Sequence, residues 1–169
     1  MSADPSIHAS AVLVGDCAVL IRGPSGSGKS RLAFDLTLAG RAGLIAATRL
    51  IGDDRVHISP HEGELRVRPA PALAGLIEIR GLGIRRCDFV AEARVGLVVD
   101  LDATDAARLP PPHALQAAIE GILIPRIPVP PGFSGLPLVI AALTMTANSS
   151  SADCSKEFGN HITPTLATE

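Results

Sequence analysis

The stretch "GPSGSGKS", Gly23–Ser30, decides the fold. Gly23, Gly26 and Gly28 allow backbone angles that other residues resist, so successive N–H groups can point inward at an anion. The apolar run Ala18–Ile21 leads straight into the stretch, as a strand would. After it, "SRLAFDLTLAG" places Leu32, Ala33, Leu36 and Ala39 on one helical face, with an end near Gly40. Strand, glycine loop and helix in this order are the context of a phosphate-binding P-loop. The helix adds the positive end of its dipole. Gly23, Pro24, Ser25, Gly26, Ser27, Gly28, Lys29 and Ser30 then form the nucleotide cradle, with Lys29 reaching the β- and γ-phosphates and the Ser30 hydroxyl ligating Mg²⁺.

Composition argues against a chance match. Of fifteen basic residues thirteen are arginine, and the two lysines are Lys29 and Lys156. A chain that uses arginine almost everywhere has nonetheless put lysine inside the glycine loop. Its 169 residues suit one domain with a real core, 47% are apolar, and the formal net charge is −2. No basic nucleic-acid footprint and no membrane-length apolar run is present. The start "MSADPSIHAS" lacks the basic-then-apolar pattern of a secretory signal, and Cys17, Cys87 and Cys154 form neither a zinc pattern nor a disulfide framework. A cytoplasmic protein is expected, with Cys17 and Cys87 as buried spectator thiols.

Outward from the loop, "SAVLVGDCAVLIRG" reads as two strands turning at Gly15-Asp16. "TRLIGDDRVHIS" reads as a strand, a turn at Gly52-Asp53-Asp54 and a second strand, with "GELRVRP" returning. "VGLVVDLD" is a short buried strand capped by carboxylates, and "HALQAAIEGIL" and "PLVIAALTMTAN" carry helical patterns. The five prolines of "IPRIPVPPGFSGLP" require extended or looped chain. The domain is expected to span residues 1–147, and 148–169 to be a polar, flexible tail.

A P-loop also needs a carboxylate near the metal. Asp100 and Asp102 in "LVVDLD" follow the cleaner apolar run and suit a generic P-loop; Asp53 and Asp54 are chemically richer, since one can hold the metal side while the other takes a proton from an attacking hydroxyl. Spacing alone leaves a plain turn and a catalytic pair equally open. "IEIRGLGI" adds Glu78 and Arg80, alternating along a strand that otherwise looks buried, where a charge needs a metal or counter-ion.

This ordered set resembles the HPr kinase/phosphorylase family. The carriers of the resemblance are "SIH" before the first strand, "GPSGSGKS", "LIGDDRV", "EIRGLGI" and "IPRIPVPPG", from about His8 to Asn148. The resemblance implies an α/β P-loop kinase domain of the HPr kinase / phosphoenolpyruvate carboxykinase-like type, in a compact form holding the catalytic domain only. It implies transfer of the ATP γ-phosphate, with Mg²⁺, to a serine of the phosphocarrier HPr, and phosphorolysis of that phosphoserine to pyrophosphate. Residue by residue, it makes Asp54 the carboxylate that accepts the serine proton, with His8 influencing it. Asp53 is placed by the metal, Ser30 and Glu78 are metal ligands, Lys29 steadies the phosphoryl group, and Arg108 in "AARLP" stabilises developing charge. It implies a homo-oligomer, a hexamer in the family. "PPGFSG", Pro130–Gly135, stands where the family carries a basic loop tied to dephosphorylation, which predicts a weak reverse activity here. The competing readings are a P-loop kinase of a small molecule and a nucleotide-binding regulatory module without turnover.

Overall fold

β-branched and leucine residues in short alternating runs, bounded by glycine and aspartate, build a sheet around the phosphate loop. The computed structural model describes residues 6–146. Strands β1 (Ser6–Ile7), β2 (Ser10–Val14) and β3 (Cys17–Arg22) lead into helix α1 (Lys29–Arg41). Then come β4 (Thr48–Gly52), β5 (Val56–His61), β6 (Glu64–Pro69), β7 (Leu76–Ile79), β8 (Gly83–Arg86) and β9 (Ala93–Asp100). β10 (Gln116–Ile119), β11 (Ile122–Pro128) and helix α2 (Leu136–Thr144) complete the fold. The tail expected from residue 148 onward, with Cys154 and Lys156, lies outside the described residues.

Nine of these strands form one sheet, running β1-β5-β6-β9-β3-β2-β4 with β11 and β10 added beside β9. β9 is the axis. β3 runs parallel along one of its edges, while the other edge is divided: β6 pairs antiparallel with Ala93 and Arg94, and β11 pairs parallel with Val98–Asp100. Val95, Leu97, Val98 and Val99 are all buried, as a strand covered on both faces requires. On one face Val19, Ile21, Leu97 and Val99 meet Leu32, Ala33, Leu36 and Ala39 of α1 and Val139 and Leu143 of α2. On the other, Ala18, Leu20 and Val98 meet Val56, Ile58, Leu65 and Val67 of β5 and β6 and Ile119 and Ile124 of β10 and β11, so the sheet curls over its own second core. The parallel strands β3, β9 and β11 end in register at Arg22, Asp100 and Pro128. Their following loops therefore gather at one edge.

Three expectations are corrected. "HALQAAIEGIL" is not a helix. Pro112–Leu115 makes one 3-10 turn, and the rest is the β10–β11 hairpin, turned at Glu120 (φ 51°) and Gly121 (φ 76°). Two consecutive left-handed residues match the twist of a tight hairpin, and the open half of β9's edge rewards extension over the helix preference of the alanines. Glu78 and Arg80 are exposed rather than buried. Their strand β7 pairs only with β8, in a separate two-stranded hairpin that buries Ile77 and leaves its other face to solvent. Cys17 and Cys87 are half-buried, not buried. Partial burial still pushes both thiols above their ordinary value, opposed at Cys17 by Arg94, whose guanidinium donates to Sγ at 2.9 Å.

Candidate active site

The phosphate loop owes its shape to its glycines. Gly26 (φ 80°) and Gly28 (φ 97°) are left-handed, and Gly28 caps α1 without any side-chain bond to the helix amides. Those first amides stay available to an anion. Lys29 is buried, its Nζ donating to the carbonyls of Gly23 at 2.9 Å and Pro24 at 3.0 Å. Burial lowers its pKa, while the negative charges of Asp53 and Asp54 pull the other way. The Ser27 hydroxyl is buried in the loop without a hydrogen-bond partner among the described residues. An orphaned donor inside a ring of amides suits a phosphate oxygen.

Asp53 and Asp54 do not form a hairpin turn, because β4 and β5 pair with other strands and not with each other. The chain reverses in a three-residue turn centred on Asp54 (φ 65°), closed by the Arg55 amide donating to the Asp53 carbonyl at 2.8 Å. That conformation sends the two carboxylates to different places. Asp53 is buried and accepts from the Ser10 hydroxyl at 2.5 Å, the Ser30 hydroxyl at 2.9 Å and the Glu78 amide at 3.1 Å. Asp54 is exposed and pairs with His8 Nε2 at 3.1 Å. The β1–β5 pairing, Ile7 opposite Val56, carries His8 to this position.

Asp100, favoured by the generic reading, is otherwise engaged. Arg22 grips it with two hydrogen bonds, at 2.7 and 2.8 Å, and Arg126 with a third at 2.5 Å. Burial would raise its pKa, but the hydrogen bonds from Arg22 and Arg126 outweigh this and hold the carboxyl below its ordinary range. Arg126 further binds both oxygens of Asp105, at 2.7 and 2.9 Å, and the Ala114 carbonyl at 2.9 Å. Two guanidiniums on one carboxylate leave it no free charge for a metal. Arg108 sits exposed on the loop after β9.

Of the expected site residues, the structure brings together the phosphate loop, Lys29, Ser30, Asp53, Asp54, His8 and the Glu78 backbone. The Glu78 side chain is exposed beside them. No cluster of three or more His, Cys, Asp or Glu side chains stands ready for a metal among the described residues. Ser30 and Asp53 nevertheless offer two adjacent oxygens at the end of a phosphate cradle, which fits Mg²⁺, an ion that keeps waters and phosphate oxygens for its other ligands. Ser10 was missed by sequence reasoning. Its signal is one polar residue opening an apolar run, fully buried against Asp53 from 43 residues away.

Residues 1–161 match the protein family described as HPr Serine kinase C-terminal domain. The chain belongs to this family. This HPr serine kinase C-terminal domain is 31% identical over 175 residues to the HPr kinase/phosphorylase of Geobacillus thermodenitrificans, covering 95% of this chain and 54% of the relative. It is 36% identical over 174 residues to that of Enterococcus faecalis, covering 94% and 53%. Among solved structures, the Hpr(Ser) kinase/phosphatase from Coxiella burnetii superimposes with a TM-score of 0.65 at 25% identity, over 81% of this chain and 87% of that one. The HPr kinase domain fold, an α/β P-loop architecture, is thereby confirmed. The chain spans about half the length of the curated relatives it matches.

Proposed function

We propose that this domain transfers the γ-phosphate of ATP to a serine hydroxyl of the phosphocarrier HPr. The observation that carries the reading is the divided aspartate pair: Asp53 is buried on the phosphate-loop serine, and Asp54, one residue on, is open to an acceptor and paired with His8. The loop amides, the Ser27 hydroxyl and Lys29 hold the triphosphate. Ser30 and Asp53 would hold Mg²⁺, with Glu78 beside them, and the ion supplies neutralisation of the phosphate charge. Asp54 accepts the serine proton as the oxygen attacks, and His8 fixes the orientation of its carboxylate. Arg108, on the loop beyond β9, is the cation for the charge that develops on the transferred group. The same array serves phosphorolysis if inorganic phosphate occupies the γ-site. The Pro130–Gly135 loop carries no cation to hold that phosphate, so this arm is weak. A cytoplasmic location follows from such a substrate, and no helix among the described residues is long and apolar enough to cross a membrane.

The test uses labelled ATP, Mg²⁺ and purified HPr, with phosphoserine as readout. The wild-type chain is expected to label HPr on serine, and D54N to lower the rate by roughly 10²–10⁴ while nucleotide still binds. Nucleotide binding with no transfer by the wild type would overturn the kinase reading.

A further inference from the structure

The β7–β8 hairpin stands apart from the main sheet and next to the reacting groups. Its Glu78 amide donates to Asp53 at 3.1 Å, so the hairpin is fixed to the buried carboxylate. Register gives it two unlike faces. Residues directly opposite share a face, and Glu78 lies across from Ile84, Leu76 across from Arg86. Ile77 and Ile79, on the alternate face, pack into the core beneath α1. The remaining face therefore presents Ile84 and Arg86 outward with Glu78. At the tip, a four-residue β-turn closed by the Leu82 amide on the Ile79 carbonyl (2.9 Å) holds out Leu82. Leu82 is 58% and Ile84 63% exposed, two large apolar side chains within three residues. At the base of the same hairpin, Arg49, Arg86, Asp88 and Phe89 line a hollow of about 370 Å³, with two guanidiniums to one carboxylate. An apolar ridge thus adjoins a concave floor with a cationic excess.

We infer that this face of the β7–β8 hairpin seats the serine-bearing acceptor protein, through an apolar patch over Leu82 and Ile84 and a carboxylate directed at Arg86 and Arg49. The inference rests on the kinase reading above. A serine on a folded protein reaches Asp54 only if the surface around that serine lies over the elements flanking Asp54, and this hairpin is bonded to the neighbouring aspartate. Charge selects the occupant. This face, its tip and the hollow at its base expose Arg49, Arg80 and Arg86 against Glu78 and Asp88, a cationic excess in a chain whose net charge is −2. A second copy meeting this face about a two-fold axis would set these arginines against each other, whereas an acidic rim on a different protein complements them.

The test compares wild type, L82S/I84S, R86E and the control L123S, which removes an equally exposed leucine from β11. Each is checked for an unchanged melting temperature and nucleotide affinity. HPr is the acceptor, with steady-state transfer and calorimetric binding to the nucleotide-loaded enzyme as readouts. L82S/I84S and R86E are expected to raise the acceptor KM and dissociation constant at least tenfold, with kcat and the ATP KM within twofold and L123S unchanged. Acceptor affinity within twofold of wild type in both hairpin variants, or an equal loss in L123S, overturns the seat. If the wild type binds nucleotide and HPr but transfers nothing, the kinase reading fails while the binding series still judges the seat. If it does not bind HPr, both fall.

Discussion

Asp53 is 3% exposed while the Asp54 side chain is 64% exposed, although one peptide bond separates them. The left-handed angle at Asp54 makes this difference, and aspartate is among the few non-glycine residues that adopt it readily. Exchanging each for asparagine should separate stability from turnover. D53N leaves the Ser10 and Ser30 hydroxyls and the Glu78 amide competing for one acceptor oxygen, and should cost about 1–3 kcal/mol in urea unfolding. D54N removes only an exposed carboxylate, and should change stability by less than about 0.5 kcal/mol while transfer collapses. Ser10→Ala falls between them, losing about 1 kcal/mol through one hydrogen bond onto Asp53. The sequence showed a pair of aspartates and an ordered set of motifs around them. It did not show which aspartate turns inward by geometry alone, because the hand of a three-residue turn depends on the strands it joins. β4 and β5 pair with different neighbours, and no local pattern announces that.

At the scale of elements, period and punctuation were legible wherever the apolar pattern admits a single period. The β2–β3 turn at Gly15-Asp16, helix α1 and the β5–β6 return all follow that rule. They failed at β10, whose alanines suit a helix until β11 finds the open stretch of β9's edge. The buried-charge argument at Glu78 and Arg80 failed for a related reason: the strand is real, but it belongs to a two-stranded hairpin with a wet face. The hairpin turn at Glu120-Gly121 can be probed directly. G121A keeps the φ of 76° but gives it a Cβ, which should cost about 1–2 kcal/mol in chemical denaturation and shift no nucleotide affinity.

Across the whole molecule, Arg22, Asp100 and Arg126 tie the ends of the three parallel strands together at the edge that carries the phosphate loop. D100N should lower unfolding free energy by about 3 kcal/mol at pH 7, since two guanidiniums would lose their shared counter-charge. The pH dependence has a fixed sign. The folded carboxyl titrates below the 3.8 of an unperturbed one, so its contribution is complete above that pH and is lost as the pH falls through the folded value. D100N should therefore narrow its deficit relative to wild type as the pH falls below 3.8, read as converging denaturation midpoints.

The divided edge of β9 also dictates an order of events. Arg22 and Asp100 are 78 positions apart, and Arg126 comes 26 positions after Asp100. The phosphate loop leaves the ribosome early, but its supporting strand β9 must wait for distant pairing, and one edge of that strand's last third stays unpaired until β11 emerges. Parallel pairing over such separations closes large loops before it returns any contact energy, which places folding in the millisecond-to-second range rather than the microsecond range. A nascent chain halted before residue 122 would expose an unpaired strand rim and an Asp100–Arg22 pair still lacking Arg126, the kind of half-built species that chaperones recognise.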